Sequence, residues 1–253
     1  MATALAQQNA IPLIGWARIV TRVLAMAALL VGCVPLYYVC RVFGLRNPLP
    51  RVFLGGISWI AGVELRVVGE KVHRGAVLLA NHVSWMDIPA IAATTGSAFV
   101  GHDGLTTMPL LRWLCAMNDT VFVARFDPAS VAEQVAAVRE AINDTGALTI
   151  FPEGTTSDGT GLLPFKSSLL SALDPVPAGI AIQPVLLDYG AEAADIAWVG
   201  DEHGLDNFKR IMARGQALVV TVHFLPALEG PALAGRKAMA AAARDAMMRR
   251  LGG

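Results

Sequence analysis

Histidine gains and loses a proton near neutral pH, and a carboxylate beside it fixes its tautomer and stabilises its cation. His82 and Asp87, in the segment Asn81-His-Val-Ser-Trp-Met-Asp87, bring these two residue types close together in the chain. On one continuous helix, five positions amount to about 500° of rotation and leave the two on different faces. They meet if His82 ends a strand and Asp87 lies near the start of the next helix, a start that Pro89 favours. A structural reading stays open beside this one, because Ser84-x-x-Asp87 is also the pattern of a capping box.

A second polar cluster is Phe151-Pro-Glu-Gly-Thr-Thr-Ser157. Pro152 and Gly154 fix a turn, with Glu153, Thr155, Thr156 and Ser157 offering polar groups at its tip. Such a turn can cradle a phosphate or present oxyanion donors, and it can equally be a plain polar turn. Arg125 closes the apolar run Val121-Phe-Val-Ala. It can bind a phosphate bidentately or pair with Asp127. Lys166 is a further cation near the second turn, and its simpler role is a solvated residue at a helix start. Cys33, Cys40 and Cys115 are odd in number and lack metal-ligand spacing, which points to a reducing compartment and structural thiols.

These clusters follow strand-like runs. Apolar stretches at Ala76–Ala80, Ala98–Val100, Thr120–Ala124, Ala147–Phe151, Ile180–Leu187 and Ala217–Phe224 have strand length and are rich in Val, Ile, Leu and Phe. Helical patterns are predicted at Pro89–Thr94, Ala129–Asn143, Lys166–Leu173 and Asn207–Ala213. The clearest has Val131, Val135, Val138 and Ile142 at helical spacing after Asp127-Pro128. Strands apolar on both faces and alternating with helices predict an α/β fold, a central mostly parallel sheet covered by helices. The tail from Pro231 to Leu251, Ala- and Met-rich with five basic residues, reads as a closing amphipathic helix.

The N-terminal part differs. Val23 to Cys40 is an uncharged apolar run long enough to span a bilayer, with Gly32 and Pro35 as weak points for a helix. A second apolar stretch, Val52 to Val63, follows the turn-like Leu45-Arg-Asn-Pro-Leu-Pro50, and the two predict a membrane-associated helical hairpin. No acidic residue occurs from Met1 to Val63, whereas Arg18, Arg22, Arg41, Arg46 and Arg51 do. An anionic leaflet attracts such a segment at about 1 kcal/mol per basic residue. A secretory signal is the competing reading, but no small-residue cleavage site follows the apolar run. The expected division is residues 1–68 as membrane-anchoring helices and 69–253 as a catalytic domain. The whole chain is apolar, 55% hydrophobic against 16% charged, with zero net charge, which gives no footprint of a nucleic-acid binder.

In this order the segments resemble the glycerolipid acyltransferase family, which includes bacterial lysophosphatidic acid acyltransferases, from about Asn81 to Val185. Its N-H-x-x-x-x-D block is met by Asn81, His82 and Asp87. G-x-x-F-[IV]-x-R is met by Phe122, Val123 and Arg125, with Asp119 in place of glycine. F-P-E-G-T-R-S is met by Phe151 to Thr155 and Ser157, and a V-P-[IV]-x-P-V-like strand by Ile182-Gln-Pro-Val185. Phe165-Lys166 matches a downstream Phe-Lys, with Ser168 replacing a common glycine.

The resemblance implies a glycerol-3-phosphate acyltransferase-like fold and a reaction in which His82 deprotonates the free hydroxyl of a lysolipid while Asp87 orients the ring. The acyl donor it implies is a thioester of acyl-carrier protein or CoA, with no further cofactor and no metal. Arg125, Glu153, Gly154, Thr155, Thr156 and Lys166 are the implied substrate-binding residues. It also implies membrane lipids as surroundings, at the cytoplasmic face of a bacterial inner membrane. Thr156 departs from the family's usual arginine, which binds the acceptor phosphate. Lys166 or Arg125 can substitute for it, or the acceptor carries no phosphate. The first expectation is acylation of 1-acyl-sn-glycerol-3-phosphate to phosphatidic acid. A Gly-Thr-Thr variant also resembles lyso-ornithine lipid acyltransferases. Readings of other classes are a membrane-bound hydrolase that uses the same pair to activate water, and a non-catalytic lipid-binding protein.

Overall fold

The computed structural model describes residues 11–45, 47–101, 109–118, 120–122 and 131–252. Seven strands among them form one sheet: β1 (Val63–Val68), β2 (Ala76–Ala80), β3 (Ala98–Gly101), β4 (Val121–Phe122), β5 (Ala147–Ile150), β6 (Ala181–Asp188) and β7 (Leu218–Phe224). Their order is β1-β7-β6-β2-β5-β3-β4, and β6–β7 is the antiparallel junction in an otherwise parallel set. The expected mostly parallel sheet covered by helices is the observed fold.

Side chains alternate across a strand, so an all-apolar strand must be covered on both faces. Ala76, Leu78 and Ala80 of β2 enter one core, while Val77 and Leu79 enter another. The first core is closed by α3 (Asp87–Thr95), α6 (Ala193–Ile196) and α7 (Gly204–Ala213), through Ile91, Ile196, Ile211 and Met212. The second is closed by α5 (Val131–Thr145), a 3-10 helix at Ser167–Leu173 and α8 (Arg236–Leu251), while α4 (Pro109–Met117) lies between β3 and β4 in the chain. On α8 the buried residues Met239, Ala240, Ala243 and Met247 recur at helical spacing, which accounts for the closing helix read from the tail.

The N-terminal hairpin is α1 (Leu13–Val42) and α2 (Leu49–Ile60), and α1 continues through Gly32 and Pro35. Two readings need correction here. β1, whose polar and apolar residues alternate, pairs with β7 as the edge strand, so the sheet begins at Val63, inside the segment assigned to the anchor. Gly62, at φ +83°, turns the chain from α2 into β1 with no linker between them. The second correction concerns the arginines. Arg22 Nη1 donates to the carbonyls of Met212 (2.7 Å) and Arg214 (2.9 Å), and Arg18 Nη1 reaches that of Ala213 at 3.5 Å. Arg51 donates from Nε and Nη2 to the Ala93 carbonyl (3.2 and 3.1 Å). The last turns of α7 and α3 expose carbonyls at the negative ends of their dipoles, and these cations cap them. Three arginines expected to meet a leaflet thus fasten the hairpin to the sheet domain, and Arg46 lies outside the described residues.

α1 is long and apolar enough to cross a membrane, with a mean hydropathy of 2.2 and 11% of its apolar window buried. Leu24 (63% exposed), Val31 (72%) and Val42 (79%) lie along it, and Trp59 (79%) lies in the last turn of α2. We predict that Leu24→Glu combined with Val31→Glu releases the protein from liposomes in a flotation assay without lowering its melting temperature. The charges touch no packed core, whereas each costs roughly 2–3 kcal/mol in a hydrocarbon environment.

Candidate active site

Parallel neighbours in a sheet bring their carboxyl ends to one edge. β5, β2 and β6 are adjacent and parallel, so the residues that follow them converge: Phe151–Ser157 after β5, Asn81–Asp87 after β2, and Tyr189 after β6. Asn81 fixes the exit from β2. Its amide donates to the Leu187 carbonyl (3.0 Å) and accepts from the Leu187 N–H (2.7 Å), prolonging the contact between β2 and β6 through a side chain.

His82 leaves the sheet here and Asp87 opens α3, which brings His82 Nδ1 and Asp87 Oδ2 to 2.7 Å. The carboxylate is fully buried and receives three more donors. Oδ2 accepts the N–H groups of Val83 (2.6 Å) and Ser84 (3.0 Å), and Oδ1 accepts the hydroxyl of Tyr189. Only the carboxylate half of the capping pattern is present beside the dyad: the Ser84 N–H and the His82 ring use the same Asp87 oxygen, while the Ser84 hydroxyl accepts the Met86 N–H at 3.4 Å rather than that of Asp87. An acceptor on Nδ1 places the imidazole proton there and leaves the Nε2 lone pair available. Burial, and then the Asp87 charge, push the Tyr189 hydroxyl well above the usual tyrosine range, so it stays a donor to the carboxylate. The sequence reading passed over Tyr189; the signal available was its place directly after an apolar strand.

The Phe151–Ser157 turn grips the same residue from the other side. Phe151 stacks on the His82 ring with centroids 4.2 Å apart. Glu153 Oε1 accepts the His82 N–H (3.2 Å), while the Ser157 N–H (2.7 Å) and hydroxyl (3.1 Å) donate to the His82 carbonyl. Expected to bind substrate, Glu153 is instead 1% exposed, its other oxygen accepting the Leu163 N–H at 3.4 Å. It positions His82 rather than facing a ligand. Burial drives its carboxyl up to about 7, against the lowering by the His82 and Leu163 N–H groups.

His82, Gly154, Thr155 and Thr156 border a cavity of about 790 Å³. Its far walls are apolar, built by Leu30 and Val34 of α1, Phe53 and Ile57 of α2, and Ile88 and Phe99. Thr156 Oγ1 donates to the Trp198 carbonyl. The Lys166 ammonium lies over Gly154, where an added Cβ would come within 3.1 Å of it, and Gly154 itself has φ +68°. Arg125 lies outside the described residues, as do Asp119 and Val123. Among the described residues no cluster of His, Cys, Asp or Glu could hold a metal ion.

A carboxylate–imidazole pair whose carboxylate is buried and whose histidine borders an apolar cavity suits proton removal from a hydroxyl beside a long acyl chain. Residues 64–188 match the Acyltransferase family. The chain belongs to that family. It is 31% identical over 246 residues to the lyso-ornithine lipid O-acyltransferase of Brucella abortus, covering 90% of this chain and 91% of that one. It is also 35% identical over 129 residues to the 1-acyl-sn-glycerol-3-phosphate acyltransferase of Neisseria gonorrhoeae, covering 51% and 49%. Its fold is shared with the crystal structure of the 1-acyl-sn-glycerophosphate (LPA) acyltransferase PlsC from Thermotoga maritima, at a TM-score of 0.63 and 18% identity over 93% of this chain and 96% of that one.

Two predictions follow from the residues around His82. Glu153 holds its proton up to about pH 7 when folded, against an ordinary value of 4.5. Between these values the native state binds more protons than the unfolded chain, so its stability falls as pH rises through that window. Glu153→Gln flattens this part of the profile, a change of at most about 3 kcal/mol, read by thermal denaturation in detergent from pH 4.5 to 7.5. Tyr189→Phe removes one donor from a buried carboxylate. It lowers stability by about 1–3 kcal/mol, read by thermal denaturation in detergent, and lowers kcat for acyl transfer.

Proposed function

We propose that this acyltransferase moves a fatty acyl group from a thioester of acyl-carrier protein or CoA to the free hydroxyl of a lysolipid at a membrane surface. The observation that carries the reading is the His82–Asp87 pair at 2.7 Å with His82 bordering the apolar cavity. Nε2 of His82 takes the hydroxyl proton, and the oxygen attacks the thioester carbonyl. Collapse of the tetrahedral intermediate breaks the C–S bond, and the departing thiolate receives the proton from Nε2. Asp87 holds Nδ1–H throughout and stabilises the transient imidazolium. Leu30, Val34, Phe53 and Ile57 supply a surface for the acyl chain, and the exposed face of α1 sets the cavity beside lipid.

For the acceptor, lyso-ornithine lipid is the favoured reading. It is supported by likeness to the Brucella enzyme along nearly the whole of both chains and by threonine where the family's phosphate-binding arginine usually stands. Acylation of 1-acyl-sn-glycerol-3-phosphate to phosphatidic acid is the second reading, supported by the Neisseria relative and by Lys166 at the turn. Thioester donors of both kinds are cytoplasmic metabolites, which supports a site on the cytoplasmic face of a bacterial inner membrane.

His82→Ala and Asp87→Asn each lower acyl transfer by about 10²–10⁴-fold while liposome binding is retained. Purified full-length protein, one thioester donor and each of the two lysolipids provide the assay. Normal turnover in the His82 variant overturns the mechanism. Release of free fatty acid at the same rate without an acceptor identifies a hydrolase instead.

A further inference from the structure

We infer that β1 is a docking edge for a second copy of this chain. Two copies pair antiparallel across Leu65 into one continuous sheet, with both hairpins on the same side of it.

β1 ends the sheet and, among the described residues, is bonded to β7 alone. The ladder fixes which way its backbone points. The Leu218 N–H donates to the Gly62 carbonyl at 2.9 Å, with Val63 in register with Leu218. A residue's own N–H and C=O leave a strand on one side, and that side alternates along the chain. Gly62, Glu64 and Arg66 therefore turn theirs toward β7, whereas Val63, Leu65 and Val67 turn theirs outward. An antiparallel copy meets these outward groups with its own: Leu65 bonds Leu65 of the second copy, and Val63 and Val67 bond Val67 and Val63.

Side chains alternate as well. Val63 and Leu65 pack against the core that holds the hairpin, so Glu64 and Arg66 lie on the opposite face, their side chains 53% and 60% exposed. They pair with each other along the strand at 2.9 Å, and an exposed pair of this kind adds little to the fold. On an edge, charges turn away a strand of unmatched sequence. Against its own antiparallel copy the same pair fits. Glu64 stands opposite Arg66 and Arg66 opposite Glu64, at the close, non-hydrogen-bonded positions about 4.5 Å apart between Cα atoms. The charges then alternate in sign around the cluster, and the bridges within each strand are kept. On the other face the exposed Val67 meets Val63 of the second copy.

Symmetry favours the same partner. Antiparallel edge pairing of identical strands is isologous, and its two-fold axis stands perpendicular to the sheet. Ile19, Met26 and Leu54 hold the hairpin against one face of that sheet. The axis keeps both hairpins on that face, and with them the exposed Leu24 and Val31 of each copy. Given the membrane-associated reading of the hairpin, both copies thus rest on one bilayer. A strand of 6 residues is a small contact, and a bilayer that already aligns the copies offsets part of the cost of ordering them.

The test is energy transfer between full-length copies labelled separately with donor and acceptor dyes at the amino terminus and reconstituted together in phosphatidylcholine liposomes. The unmodified chain is expected to show transfer that persists in excess lipid. Glu64→Arg or Arg66→Glu sets like charges opposite each other and weakens association about tenfold, whereas the two changes combined restore it. These side chains touch no core, so the melting temperature in detergent stays close to that of the unmodified chain. Register is read separately: under oxidation, a mixture of Glu64→Cys and Arg66→Cys copies forms disulfide-linked dimers in higher yield than either variant alone. No transfer in the unmodified chain, equal transfer in all variants, or a double swap that stays apart overturns the pairing. A cross-link as frequent in one cysteine variant alone overturns it too. Failure to bind liposomes refutes the membrane reading instead, and sedimentation of the same variants in detergent then decides the pairing.

Discussion

A carboxylate taken out of water must be compensated by donors, and the site is organised around meeting that demand at Asp87. Four donors converge on it: the His82 ring, two consecutive backbone N–H groups and the Tyr189 hydroxyl. They come from the end of β2, the loop into α3 and the end of β6. The arrangement requires β2 and β6 to be parallel neighbours whose ends face the same way, as they are. If the register between them slipped by one residue, Tyr189 would point to the opposite face and Asp87 would lose its donor from β6. The geometry of the His82–Asp87 pair and the sheet topology are one constraint here.

The backbone of His82 is held just as firmly as its ring. Glu153 accepts its N–H and Ser157 donates twice to its carbonyl, so a turn some seventy residues away in sequence fixes both ends of the peptide. This explains why a glutamate can stay buried at the cost of a raised carboxyl pKa: its partner is the backbone of His82. The cost of burying Glu153 is a stability penalty that goes with positioning, as strain at functional sites commonly does.

Much of this was legible beforehand. The apolar runs located β2, β3, β5, β6 and β7 to within a residue or so, because strands covered on both faces leave an uninterrupted apolar signature. Their spacing allowed His82 and Asp87 to meet, given a strand before and a helix after them, and the 2.7 Å contact realises that option. β1 was missed because an edge strand has one face uncovered and reads Val-Glu-Leu-Arg-Val-Val, with little apolar excess. The roles of Glu153 and Tyr189 were illegible for a different reason. Which polar groups point at one another depends on how strands distant in sequence are ordered, and periodicity carries no information about that order. The arginines of α1 and α2 failed similarly, since a basic residue beside an apolar run reads the same whether it meets a phospholipid or a helix end.

That last ambiguity bears on how the hairpin works. Arg22 and Arg51 bind the carboxyl ends of α7 and α3, which belong to the sheet domain, while Leu30, Val34, Phe53 and Ile57 border the cavity. The hairpin thus exposes apolar side chains on one side and forms a wall of the cavity with the other. A freely tethered anchor would need neither the capping bonds nor the inward apolar residues. Helix α7 carries the argument one step further, since it is gripped by Arg22 at its end and itself grips the Trp198 segment through Asn207 and Arg210. The hairpin and the Trp198 segment that borders the cavity are therefore joined through a single short helix. The hairpin is thus fixed to the sheet domain by hydrogen bonds within the fold rather than by a flexible linker.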